Sequence, residues 1–156
     1  MVLEQLKARL SGKVVIVGIG NTLRQDDGIG SILARRLKGK VPYVVFDAGT
    51  SPENYLGKIT SENTDTVLLI DAVDFGGRPG ELRLIEGDEL NSANMYFTHN
   101  ASLSLAINYL KSSLQADIII LIVQPKSIAF GDTMSKELVT VLEELENWFY
   151  GYQKKR

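Results

Sequence analysis

Apolar positions along the chain change their period several times, and those changes delimit the elements. Lys13 to Ile19 is a β-branched run closed by Gly18 and Gly20; it lacks polar alternation, as a strand buried on both faces does. After a polar loop, Ile29, Leu33 and Leu37 recur at helical spacing. A second strand is predicted over Tyr43 to Phe46, ending at Asp47, and a third over Thr66 to Ile70, ending at Asp71. Glu81 to Ile85 alternates Leu82 and Leu84 with charge, the pattern of a strand with one wetter face. Leu103, Ile107, Leu110 and Leu114 mark a helix, Asp117 to Val123 the most apolar strand, and Leu138, Leu142, Leu145 and Trp148 a last amphipathic helix. Trp148, Phe149 and Tyr152 are expected to pack against or cap the sheet. Strands that alternate with helices need crossovers, hence a mostly parallel sheet covered on both faces. The expected fold class is α/β: a three-layer sandwich whose mostly parallel, twisted sheet of about five strands is flanked by helices on both faces, in a single domain over residues 1–156.

Composition narrows the chemistry this scaffold can carry. The 156 residues include no cysteine and one histidine, His99, which removes disulfide frameworks, zinc–thiolate and iron–sulfur sites, thiol nucleophiles and every two-histidine site. A net charge of −2, with Lys154-Lys155-Arg156 as the only basic cluster, argues against a nucleic-acid partner, which would demand a basic stripe. The longest apolar run, Ile118 to Val123, falls far short of the ~20 residues that cross a bilayer. No signal-peptide pattern opens the chain, so the expectation is a soluble cytoplasmic protein without a membrane partner. The charge pattern demands no dimer, and a monomer is expected.

In open α/β sheets ligands bind beyond the carboxyl ends of the strands, and the polar residues that want an explanation fall there. Asp26 and Asp27 close the loop after the first strand, Asp47 ends the second, Asp71 ends the third, and His99 sits in Thr98-His99-Asn100 just before a helix. These four segments are expected to converge on one crevice. Gly18-Ile19-Gly20-Asn21 invites a dinucleotide-binding reading, but Leu23 stands where the third glycine belongs, and two carboxylates lie where pyrophosphate would need bare amides. Aspartate at a helix N-terminus ordinarily caps it, and that use is expected for at least one of Asp26 and Asp27. Asp71 is harder to place on the surface, because Val67-Leu68-Leu69-Ile70 delivers it from a buried strand and an unpaired buried carboxylate is costly. Two carboxylates and one neutral imidazole would suit a divalent transition metal with open positions. A Ser-His-Asp triad would use the same imidazole, but no Gly-x-Ser-x-Gly elbow is present, which leaves Ser51, Ser102 and Ser104 as candidates by elimination.

The stretch Gly18-Ile19-Gly20-Asn21-Thr22-Leu23-Arg24-Gln25-Asp26-Asp27-Gly28-Ile29-Gly30 resembles the N-terminal signature of the hydrogenase maturation endopeptidases. The resemblance continues through Asp47-Ala48-Gly49-Thr50-Ser51-Pro52-Glu53-Asn54, Ile70-Asp71-Ala72-Val73-Asp74-Phe75-Gly76, Pro79-Gly80-Glu81, Thr98-His99-Asn100 and Gln124-Pro125, in matching order. The Ser51 to Asn54 segment is similar to the branch that processes formate-linked hydrogenase 3-type large subunits.

The resemblance implies an endopeptidase that removes the C-terminal extension of a nickel-loaded hydrogenase large-subunit precursor, cutting after a basic or histidine residue. It assigns metal binding to Asp27, Asp71 and His99 and catalysis to Asp27, Asp47 and Asp71. Nickel would be the cofactor, carried in by the precursor, and other divalent ions could occupy the site in vitro. Some family members carry glutamate where this chain has Asp27, so the shorter arm should move that ligand without abolishing it. Loaded precursor would then complete the coordination sphere, and Asp47 or Asp26 would orient the attacking water as a base. Thr50 to Gly57 and Phe75 to Gly80 are the expected walls for the substrate tail. The alternative is a non-proteolytic, metal-sensing docking or chaperone module, favoured by the lack of an identifiable nucleophile.

Overall fold

The computed structural model describes residues 1–91, 96–97 and 100–154. Among the described residues six strands form the sheet: β1 Val14–Ile19, β2 Val44–Gly49, β3 Thr66–Asp74, β4 Leu82–Glu86, β5 Tyr96–Phe97 and β6 Asp117–Val123. Their order is β2-β1-β3-β6-β4, with β5 hydrogen-bonded only to the far end of β3. The β1–β2, β1–β3 and β3–β6 pairs are parallel, while β4 runs antiparallel along the edge of β6. The alternating Glu81 to Ile85 pattern therefore belongs to an edge strand, the position that leaves one face wet. The helices are α1 Val2–Arg9, α2 Ile29–Leu37, α3 Leu56–Thr60, α4 Asn100–Ser113 and α5 Lys136–Lys154. Among the described residues, no helix is long and apolar enough to cross a membrane.

Side-chain alternation along the buried strands divides the core into two layers. Val14 and Ile16 of β1, Leu68 and Ile70 of β3, and Ile119 and Leu121 of β6 pack against α1, α2 and α5, with Phe149 wholly buried among them. Val15 and Val17, Val67 and Leu69, and Ile118 and Ile120 face the other way, onto Ile59 of α3 and Leu103, Ile107 and Leu110 of α4. The three-layer α/β arrangement expected from the alternating periods is the one observed. At the end of the sheet opposite the carboxyl ends of the parallel strands, Arg9 of α1 binds Glu86 and Asp117 together, tying the first helix to the edge strand and to the start of β6.

Two details of the sheet depart from the expected elements. First, β3 does not end at Asp71 but continues to Asp74, because Ala72 and Val73 are apolar enough to stay in the core and β5 pairs with that extension. Asp71 is thereby a fully buried residue inside a strand rather than at its tip. Second, the ladder between β1 and β3 stops at Gly18 and Ile70, while β1 stays paired with β2, so β1 and β3 have parted where Asp71 begins. The chain goes from β1 to β2 on one side and to β3 on the other, which makes this gap the topological switch point at which such sheets bind ligands.

The first turn of α2 closes over that gap. A side chain on Gly30 would bring its Cβ to 2.3 Å from the carbonyl oxygens of both Ile19 and Ile70. On Gly18 it would stand 2.1 Å from the carbonyl of Gly30. Helix and strands therefore approach backbone to backbone, with room for hydrogen only. Gly30→Ala should lower the free energy of unfolding by about 1–3 kcal/mol, the usual range for overpacking, read as a lower urea midpoint; an unchanged midpoint would show that α2 does not rest on these carbonyls.

Candidate active site

The loop after β1 is built to bring carboxylates to the switch point. Gly20 extends the ladder to β2 by donating to the Gly49 carbonyl at 2.9 Å. Asn21 then turns the chain: its side-chain oxygen accepts from the Leu23 N–H at 2.9 Å, the local bond that makes asparagine a turn former. A single 3-10 turn, Gln25–Gly28, follows. Gln25 enters it at φ +48°, a left-handed conformation that costs a side-chain-bearing residue free energy and persists only where surroundings impose it. The imposing contact is a hydrogen bond from the Gln25 N–H to the Gly131 carbonyl at 2.8 Å.

Consecutive residues of a 3-10 turn point about 120° apart, and this sends Asp26 and Asp27 to different fates. The Asp26 carboxylate, fully buried, accepts hydrogen bonds from the N–H groups of Lys126 at 2.8 Å, Ser127 at 3.1 Å and Ser135 at 2.8 Å, and from the Ser135 hydroxyl at 2.8 Å. It staples the segment between β6 and α5 to the loop after β1. Asp27 turns toward β3; its carboxylate accepts from the Asn21 N–H at 3.2 Å. Neither caps α2, whose N-cap residue is Gly28 with no side-chain hydrogen bond. The expected helix cap is thus replaced by a bond to chain about a hundred residues away.

Asp71 meets Asp27 at the gap between β1 and β3. One of its oxygens accepts the Ala72 N–H at 2.8 Å, while the other, Oδ2, is buried without a hydrogen-bond partner. Burial pushes the Asp71 carboxyl well above the usual aspartate range, and the negative charge of Asp27 pushes it further. A buried acceptor with no donor, beside a second carboxylate, is an uncompensated arrangement that a cation would relieve. The two oxygen-donor groups fit a divalent ion. His99, the third expected ligand, lies outside the described residues. Among the described residues no third His, Cys, Asp or Glu joins the pair.

Asp47 stands elsewhere. Val45, two residues before it, packs on the α2 face of the sheet, and the Asp47 carboxylate meets the same helix, accepting from Ser31 Oγ at 2.6 Å, Arg35 Nε at 2.7 Å and its neighbour Gly49 N–H at 3.1 Å. Asp71 shares its face with Leu69 and Val73, which pack toward α3 and α4. The two aspartates therefore lie on opposite faces, and the expected convergence of four segments reduces to Asp27 and Asp71 among the described residues. Burial opposes ionisation of Asp47, but the donors from Ser31, Arg35 and Gly49 outweigh it and hold its carboxyl below the usual range.

Other polar groups shape the walls. Gln124, buried at the end of β6, accepts the N–H groups of Phe75 and Gly77 through Oε1, at 2.9 and 3.1 Å, and donates through Nε2 to Asp74 at 3.0 Å. It fixes the turn after β3. Glu53, in the 3-10 turn Pro52–Tyr55, holds a buried Oε2 that has no hydrogen-bond partner. Of these, Gln124 and Ser135 were invisible as anchors in the sequence. A glutamine directly after the most apolar strand was the one available signal, because an amide there must satisfy itself in the core.

With the geometry established, comparison with known proteins decides the family. The model of the family described as HycI, hydrogenase maturation protease, matches residues 29–149. The chain belongs to that family. It is 34% identical over 140 residues to the hydrogenase 3 maturation protease of Escherichia coli K12, covering 86% of this chain and 89% of that one. It is 32% identical to a putative hydrogenase maturation protease of Methanocaldococcus jannaschii, covering 94% and 96%. The crystal structure of the maturation protease HycI from Thermococcus kodakarensis superimposes with a TM-score of 0.81 at 30% identity, covering 96% of this chain and 99% of that one. Family membership makes the chain a protease, as the signature around Asp27 and Asp71 implied, and sets the dinucleotide reading aside.

The two buried aspartates should respond oppositely to neutralisation. Because its carboxyl is raised in the native chain, Asp71 holds a proton there at pH values where the unfolded chain has lost it; stability therefore falls as pH rises above the ordinary aspartate range toward the native value. Asp71→Asn should stabilise the metal-free protein at neutral pH and flatten that slope. Asp26→Asn, which turns an amide toward N–H donors, should destabilise it by about 1–3 kcal/mol. Thermal unfolding across pH checks both; a loss of stability in Asp71→Asn would show that its carboxylate is compensated.

Proposed function

We propose that this protease removes the C-terminal extension of a nickel–iron hydrogenase large-subunit precursor, and that it does so only after nickel has been inserted. The observation that carries the proposal is the Asp71 carboxylate, buried with an unsatisfied oxygen beside Asp27 at the sheet's switch point. A protein that keeps such a pair is prepared for a cation from outside, and in this reading the cation belongs to the substrate. Cytoplasmic action as a monomer is part of the same proposal.

Each residue then has a distinct task. Asp27 and Asp71 present carboxylate oxygens to the precursor's nickel, with His99 as the third group, and leave the ion's remaining positions to precursor ligands. A divalent ion so held supplies Lewis acidity at the scissile carbonyl. Ala72 fixes the Asp71 carboxylate through its N–H, and Asn21 does the same for Asp27. Asp47 acts through position, locking α2 by Ser31 and Arg35 and thereby the turn that carries Asp27.

Incubation with nickel-loaded and nickel-free precursor, followed by mass spectrometry, tests this directly. The loaded precursor should lose its C-terminal extension and the nickel-free one should stay intact; equal cleavage of both would eliminate the gate, and no cleavage of either would leave the non-proteolytic docking module. Asp27→Ala and His99→Ala should each slow trimming by roughly 100-fold or more while keeping a cooperative thermal transition. Full activity in His99→Ala would remove the three-group site.

A further inference from the structure

The loop that carries Asp27 also carries an exposed apolar platform. Leu23 is 57% exposed, Ile128 36% and Phe130 83%, although they come from segments about a hundred residues apart. They are brought together by the backbone: the Gly131 N–H donates to the Leu23 carbonyl at 2.8 Å, the Gln25 N–H donates to the Gly131 carbonyl at 2.8 Å, and Arg24 Nε donates to the Ile128 carbonyl at 3.1 Å. Beneath them the buried Asp26 carboxylate anchors Lys126, Ser127 and Ser135.

A single exposed apolar residue on a loose loop needs no explanation. Here three large apolar side chains stand on a segment whose backbone is fixed from both sides and from below, which is how a binding anchor avoids losing conformational freedom on association. Among the described residues, Leu23 and Phe130 do no work for the core that would account for keeping them apolar. What covers them follows from their place. Leu23 lies four residues before Asp27 in the same loop, so a folded protein that delivers a peptide bond to Asp27 and Asp71 lies over this surface too.

We infer that Leu23, Ile128 and Phe130 form the docking platform for the folded body of the hydrogenase large-subunit precursor, adjacent to but separate from the groups that act on the scissile bond. The inference rests on the proposed function for the identity of its occupant. It predicts that docking and chemistry are separable: the platform sets the affinity for the precursor, and the aspartates set the rate once it is bound.

The test compares wild type with the Leu23→Ser/Phe130→Ser double variant, using the nickel-loaded precursor with its extension intact. The variant should raise KM for trimming by at least about 10-fold with kcat at saturation within about twofold and an unchanged thermal midpoint, and Phe130→Met in place of serine should recover most of the affinity. An unchanged KM with active wild type would overturn the platform while leaving the proposed function standing. Sedimentation of both proteins adds a second check: a wild-type dimer that the double variant converts to monomer would assign the surface to self-association instead. A wild type that neither binds nor trims precursor would remove the occupant and the proposed function together.

Discussion

Everything at the candidate site depends on the contact between the first turn of α2 and the parting ends of β1 and β3. Strands separate at a switch point in every open α/β sheet, but here the gap is roofed by a helix resting on the carbonyls of Ile19 and Ile70 through Gly30. The residues immediately before that helix are thereby delivered into the gap. Had α2 stood off by one methyl group at Gly18 or Gly30, Asp27 would be drawn away from Asp71. The glycines of the signature serve packing first, and chemistry follows from the packing.

The acidic residues near this site show how one side-chain type is given different properties by its donors, its burial and its charged neighbours. Asp26 receives four hydrogen bonds and becomes a structural staple. Asp47 receives three, including one from a guanidinium, and is held as a carboxylate that locks a helix. Asp71 receives one and is left with an uncompensated oxygen in a dry environment, next to another negative group. Only the last arrangement costs the folded state free energy, and functional sites are where such costs are concentrated.

Much of this was legible before the fold was known, and the parts that were not share a cause. Periodicity placed five of the six strands, the apolar faces of α2, α4 and α5, and the wetter face of Glu81 to Ile85. The aspartate following Val67 to Ile70 announced itself as buried. What local pattern could not reveal was which of two adjacent aspartates turned inward, because a 3-10 turn divides them by a third of a revolution and the partners that decide, Lys126, Ser127 and Ser135, are distant in sequence. Asp47 was placed at the end of the second strand, but the sequence did not show that its carboxylate meets α2 on the face opposite Asp71. Counting from Val45, whose neighbours are on α2, would have shown its face, once the direction of each strand's alternation was known. The run-on of β3 past Asp71 was hidden because a polar residue inside a strand reads like its end unless its pairing partner is seen.

Asp71 also links stability, pH and cargo through a single carboxyl group. In the metal-free chain its raised pKa means that folding takes up a proton over the range between the ordinary aspartate value and the native one, and that the fold is strained by the charge above it. A cation held by Asp27 and Asp71 reverses the sign: it favours the ionised form, expels the proton and converts the repulsion between the two groups into joint coordination. Under the proposed function, affinity for the cation and stability of the fold would then be coupled, and the same electrostatic cost that weakens the resting enzyme would increase its discrimination between a precursor that carries metal and one that does not. An enzyme with a fully satisfied Asp71 would be more stable and would gain less from binding a loaded precursor.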